Sequence, residues 1–335
     1  MILTLLIAAV VLGLCGHVLH TRSVRGNITD LWTLLALLAA GITLRAWGLG
    51  DSSFEHLEAS YLFEAIKPET LWGVVTSRQS AEQMHQPLYP LLLRGWADIQ
   101  LSESWVRIPS LLLSVLCVPL VWTLVRDAHT ATSARLAAAM TALAPLLVWY
   151  GRDASPYALL AAVSLAAIAS AGQQLSAPVH GNDRRLAVRT GVLLSLAFYT
   201  HFHGGWVAIT VGAWLLLSGG WRFKSLWITT ATTAALCLPW LPALIHKLTT
   251  SVEGLERDQA LMRYSHDLTE ALPEAGRLLI GGPSGTWALG LLLVLLGSGL
   301  LLRQRHVLGH LLVAASVVGL AAELHILWQL QTSKG

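Results

Sequence analysis

Apolar runs long enough to cross a bilayer recur from one end of this chain to the other, separated by short polar connections and two long ones. A membrane-crossing helix needs about 20 mostly apolar residues, with a range of about 17–25. By that measure the pattern predicts roughly ten spans, near 2–19, 31–49, 108–125, 135–150, 156–176, 187–200, 204–220, 225–245, 286–302 and 307–329. The expected fold class is all-α: a polytopic membrane protein of about ten transmembrane helices, forming a single membrane domain over 1–335. The first run has no basic n-region and no small-x-small cleavage site before Arg22, so it reads as a retained helix rather than a signal peptide.

Segment 87–99 (PLYPLLLRGWADI) is apolar but short, and it carries Arg94 and Asp98. Left at the surface, it places Arg22 and Arg25, Arg126 and Arg135, Arg184, Arg185 and Arg189, Arg222 and Lys224, and Arg303 and Arg305 in alternate connections. One side then collects the basic residues, as a cytoplasmic face does. Loops 50–107 and 246–285 fall on the opposite, outer face with both termini. In the first loop Phe54, Leu57, Tyr61, Leu62 and Ala65 recur at helical spacing, which predicts a helix lying in the membrane interface. Segment 87–99 is expected to be a second surface helix, with Tyr89 and Trp96 as its interfacial aromatics. Loop 246–285 is mixed in charge and long enough to serve as a lid, and two C-terminal helices follow over 286–329.

Composition agrees with the bilayer reading: 54% of residues are hydrophobic and 12% charged, against about a quarter charged in soluble proteins. The net charge of +3 is scattered singly through short turns, which gives nucleic-acid binding no support. Cys15, Cys117 and Cys237 all lie inside apolar runs and form neither a disulfide framework nor a zinc spacing. His17, His310 and His325 lie within spans and read as buried, hydrogen-bonded histidines rather than haem ligands.

The predicted topology brings ionisable groups from four connections to the outer membrane edge. Glu55, His56 and Glu58 follow the 31–49 span, and His85 precedes the 87–99 helix. Arg152, Asp153 and Tyr157 lie between the fourth and fifth spans, and His201 and His203 between the sixth and seventh. Each has a bland reading: a histidine can cap a helix, Arg152 and Asp153 can pair locally, and Ser155-Pro156 can start a helix. As a set they are functional candidates, because ionisable groups at a membrane edge are costly. Carboxylates and imidazoles transfer protons or hold a divalent cation.

Four pieces in order then stand out: HQPLYPLLLRGW (85–96), SESWVRIPSLLLSVLCVPLVWTLVR (102–126), ARLAAAMTALAPLLVWYGRDASPYALL (134–160) and FYTHFHGGW (198–206). In these the chain resembles the C-type glycosyltransferases of family 39, the protein O-mannosyltransferase and aminoarabinose-transferase group, with 31–245 as the family-like core. The resemblance implies a multispanning enzyme that takes a sugar, hexosyl or pentosyl, from a polyprenyl-phosphate carrier. The acceptor, a lipid, glycan or protein, would be held in the same cleft. The family's first outer loop carries an Asp-Glu pair, which falls here on Leu57 and Glu58, so its Asp is replaced. The second acidic position is Asp153, and the Arg often found two residues later is Ser155. Such enzymes usually continue with further helices and often a soluble outer domain.

On that resemblance Glu58, with Glu55 beside it, and Asp153 are the catalytic candidates, and Glu58 and Asp153 are the expected ligands of a divalent cation, magnesium or manganese. His85, Tyr89, Arg152, Tyr157, His201 and His203 are the substrate-binding ones. The expected location is a bacterial inner membrane with the site facing the periplasm. The loss of the Asp at Leu57 keeps a second class open, a non-catalytic subunit that binds a polyprenyl lipid or a membrane protein partner. A carrier of lipid-linked substrates is a third, disfavoured because no inverted repeat is visible.

Overall fold

The structure is a computed structural model that describes residues 28–76, 86–176, 183–219 and 224–242. The predicted spans 2–19, 286–302 and 307–329, the loop 246–285 and His85 lie outside the described residues. Eleven α-helices and no strand occur among the described residues. They are α1 (Ile28–Ala46), α2 (His56–Ile66), α3 (Leu71–Thr76), α4 (Leu88–Ala97), α5 (Glu103–Ala128), α6 (Ala131–Leu143), α7 (Pro145–Gly151), α8 (Tyr157–Ser176), α9 (Asp183–Thr200), α10 (His203–Gly219) and α11 (Lys224–Cys237). A 3-10 turn, Leu238–Trp240, follows α11.

Three of these helices, α1, α5 and α8, are long and apolar enough to cross a membrane, and α6 with α7 passes the same test as a bent pair. The chain is an integral membrane protein with three such spans, or four counting the pair, among the described residues. Large apolar side chains stay exposed on them, among them Trp32, Leu112, Leu136 and Met140, as helices facing lipid require.

Expectation and structure differ at the 135–150 span, which is broken. Pro145 sits at the first position of α7, and the preceding Ala144 is extended at φ −58, ψ 119. Proline disfavours helical backbone in the residue before it and supplies no N–H, so the helix stops and restarts at an angle of 52°. Pro109 and Pro119 cause no such break in α5.

Segment 87–99 is indeed short, but it does not lie exposed. Helix α4 buries Leu88, Tyr89, Leu92 and Leu93 against α2 and α5. Its Arg94 turns back to donate to the carbonyls of Ala65, Pro68 and Glu69, closing the C-terminal end of α2.

The bundle core lies between α5, α8, α9 and α11. Ala158, Ala162 and Ala166 recur every fourth residue on α8 and are buried, which lets neighbouring backbones approach closely. The α9–α10 connection is tight. A Cβ on Gly204 would fall 2.2 Å from the Ala197 carbonyl.

Helices α1 and α6–α7 run in the same direction. At their starts Asp30 pairs with Arg135 at 2.6 Å, and past their ends Arg152 donates to the Leu44 and Gly48 carbonyls. The Asp30–Arg135 end also holds Arg126, while the opposite end holds the acidic loop after α1.

Candidate active site

The loop after α1, the start of α2, the start of α5 and the α7–α8 connection meet around one cavity of about 560 Å³. Its polar wall is Ser52, Glu55, Glu58, Arg107, Arg152 and Asp153. Its apolar wall is Leu44, Leu143, Pro145, Val148 and Trp149, from α1 and both sides of the break.

Helix α2 forms as predicted, and Tyr61, Leu62 and Ala65 of its expected apolar face point inward. Leu57 departs from expectation at 46% exposed, and Glu58 is buried in its stead. A buried carboxylate needs donors, and Glu58 has four. Oε1 accepts from Arg107 Nε at 2.8 Å and from the Ala154 N–H at 2.7 Å. Oε2 accepts from Arg107 Nη2 at 2.7 Å and from the Glu55 N–H at 3.0 Å. Burial alone would raise this carboxyl's pKa. The Arg107 fork, followed by the Ala154 and Glu55 amides, outweighs burial and holds it below the ordinary carboxylate value.

Arg107 was not among the sequence candidates. Its Nη1 donates to the carbonyls of Leu49 (2.7 Å) and Ser52 (3.0 Å), and Nη2 also donates to Ser53 (3.1 Å). One guanidinium therefore folds the loop after α1 onto α2. The available signal was a charge standing at the threshold of the apolar run 108–125.

Asp153 is the contrasting carboxylate. It is half-buried and faces the cavity. Burial pushes it up to about 6, with Ser155 opposing and the nearby Glu58 charge adding to the rise. Both neighbours are fixed, Arg152 by its bonds to Leu44 (3.4 Å) and Gly48 (3.2 Å), and Ala154 by Glu58. The local Arg152–Asp153 ion pair is not formed.

The remaining candidates divide. Glu55 is exposed and lines the cavity. Tyr157, His201 and His203 form a second group beside it. Tyr157 packs on Tyr150 (4.4 Å between centroids) and on His201 (5.2 Å), which stacks on His203 (4.5 Å). The two histidines meet Nδ1 to Nδ1 at 2.7 Å, so these nitrogens share one proton rather than turning together toward a metal. Tyr89 is fully buried behind the cavity, with its hydroxyl 3.0 Å from Ser110 Oγ and its ring edge-on to Tyr61. Burial raises both phenols.

The fit of a divalent cation can be judged from the donors. No group of three or more His, Cys, Asp and Glu side chains converges among the described residues. Glu58, moreover, has all four lone-pair directions taken by N–H donors. The described residues do not form a cation site around Glu58 and Asp153, and no step is derived through one.

Residues 84–246 match the sequence profile of the dolichyl-phosphate-mannose-protein mannosyltransferase family. The fold is similar to that of the Archaeoglobus fulgidus oligosaccharyltransferase, solved in complex with zinc and sulfate. The TM-score is 0.57 at 14% identity, over 87% of this chain and 46% of that one. The chain thus spans less than half the length of that relative. No curated protein sequence matches the chain. The chain is thus similar to that mannosyltransferase family over residues 84–246, and its fold is similar to that of the oligosaccharyltransferase.

Proposed function

We propose that this chain transfers a sugar from a polyprenyl-phosphate donor to an acceptor hydroxyl or amine, at the membrane edge where the acidic loop lies, the periplasmic face of a bacterial inner membrane. One observation carries the reading. A single cavity joins a carboxylate able to take a proton, two guanidinium groups and an apolar wall that opens beside the spans. This is the set of groups that an anionic, lipid-linked sugar requires.

Asp153 accepts the proton of the acceptor as its oxygen or nitrogen bonds to the anomeric carbon. The bond from that carbon to the phosphate oxygen breaks, and polyprenyl phosphate leaves as a stable anion that needs no protonation. A positioned base of this kind contributes about 10²–10⁴-fold. Arg152 holds the phosphate, since its fork suits two oxygens and no carboxylate is paired with it among the described residues. Glu58, a catalytic candidate from sequence, is better placed to position Asp153: it fixes the Ala154 amide and the Arg107 loop. Glu55, open to the cavity, orients the acceptor.

Leu57 favours a second reading, a subunit that binds a polyprenyl lipid without turning it over. It stands exposed where the family's Asp would be. Binding and turnover of polyprenyl-phosphate sugars by the purified protein, beside Glu58→Ala and Asp153→Ala, separate the two. Transfer lost in both variants is expected. Donor binding with no turnover in the unaltered protein would establish the second reading instead.

A further inference from the structure

We propose that Arg45 is a positioning residue. From inside α1 it fixes α7, and through α7 it places the cavity-facing pair Arg152 and Asp153. The kinetic side of this inference rests on the transferase reading, and the structural side on geometry alone.

Arg45 is fully buried in an apolar helix, where a charge is costly unless its donors are used. Nε donates to Ser114 Oγ at 2.8 Å, and Nη1 donates to the carbonyls of Gly41 (3.0 Å) and Ala142 (2.9 Å). Ala142 lies one residue before the end of α6, where the break at Ala144-Pro145 removes the helical N–H its carbonyl would otherwise accept. Arg45 supplies the missing donor from another helix.

Ser114 passes the tie onward, its Oγ donating to the Leu147 carbonyl in α7 at 2.6 Å. The end of α7 rests directly on this pair. A Cβ on Gly151 would lie 2.8 Å from Ser114 Cβ and 3.0 Å from Arg45 Cδ. The next residue, Arg152, then bonds to the Leu44 and Gly48 carbonyls on either side of Arg45. Nη2 of Arg45 is buried with no hydrogen-bond partner among the described residues, which sets this contact apart from one built for stability.

The test uses the full chain in lipid nanodiscs, with Cys15, Cys117 and Cys237 replaced by Ala and spin labels at Leu44 and Trp149, on opposite helices of the apolar wall. Arg45→Met is expected to broaden the label-to-label distance distribution. With a polyprenyl-phosphate sugar it should lower kcat by about 10²-fold, the scale of a 1 Å misplacement, with KM little changed. Arg45→Lys, which keeps one donor to Ala142, should recover part of both. If Arg45→Met does not fold, Gly151→Ala carries the same test by pushing α7 off Ser114.

A folded variant that keeps the narrow distribution overturns the proposal, as does an unchanged kcat. Broadening in a protein whose unaltered form shows no transfer overturns the transferase reading and leaves the placement of α7 by Arg45 standing.

Discussion

Glu58 and Asp153 line the same cavity and carry the same functional group, yet their surroundings give them opposite chemistry. Glu58 is buried and saturated by four N–H donors, two of them from one guanidinium. Asp153 is half-buried with its backbone neighbours pinned, and its carboxyl is raised to about 6. A saturated carboxylate holds structure together. A carboxylate with fixed surroundings and an unsettled proton can react. The difference is one of donor supply, not of exposure alone.

Removing the donor from the saturated side should have the largest effect. Arg107→Ala leaves Glu58 buried without its partner and frees the carbonyls of Leu49, Ser52 and Ser53. The expected loss is about 3–5 kcal/mol, read as a lowered unfolding midpoint in detergent. An unchanged midpoint would mean that Glu58 does not depend on Arg107.

A smaller effect is expected on the reactive side. Arg152→Lys keeps the charge but loses the fork, so donor KM should rise by about tenfold, near 1.4 kcal/mol, with kcat nearly constant. A fall in kcat at constant KM would move Arg152 from binding to chemistry.

The two carboxylates also predict opposite trends with pH. Glu58 is depressed, so its contribution to stability is complete above the ordinary glutamate value of 4.5 and is lost as pH falls through its lowered pKa. Asp153 is raised from 3.8 to about 6, so the folded state holds its proton more tightly and stability declines as pH rises through that window. Unfolding midpoints from pH 4 to 6.5 in Asp153→Asn should lack that decline, whereas a decline that persists would assign it to another group.

The smallest effect belongs to Leu57→Asp. The residue is exposed in the first turn of α2, where an added carboxylate is tolerated, so stability should change by no more than about 0.5 kcal/mol. Increased transfer would show that the family's first acidic position still serves this cavity, and unchanged transfer would show that Asp153 suffices.

Much of this architecture was legible in the chain. Apolar run lengths located α1, α5 and α8, and the acidic loop and Asp153 stood out as charges beside spans. On α2 the inward positions of Tyr61, Leu62 and Ala65 were legible, but the exchange of Leu57 for Glu58 was not. It rests on a guanidinium 49 residues away together with the Ala154 and Glu55 amides. Arg45 was passed over because its partners are carbonyls and a hydroxyl that carry no sequence signature, and Arg107 because its carboxylate partner lies 49 residues away in the chain. The break at Pro145 was readable in principle. Pro109 and Pro119 sit inside an unbroken helix, however, so proline alone does not decide it.

The central claim is that Asp153, and not Glu58, takes the proton. The most direct measurement is the pH dependence of sugar transfer from a polyprenyl-phosphate donor by the unaltered protein, Asp153→Asn and Glu58→Gln. The account predicts a rate that rises through an apparent pKa of about 6 and a limb that disappears in Asp153→Asn. It also predicts that the limb survives, at reduced rate, in Glu58→Gln. A limb that persists without the Asp153 carboxyl, or that vanishes only with Glu58, would contradict it.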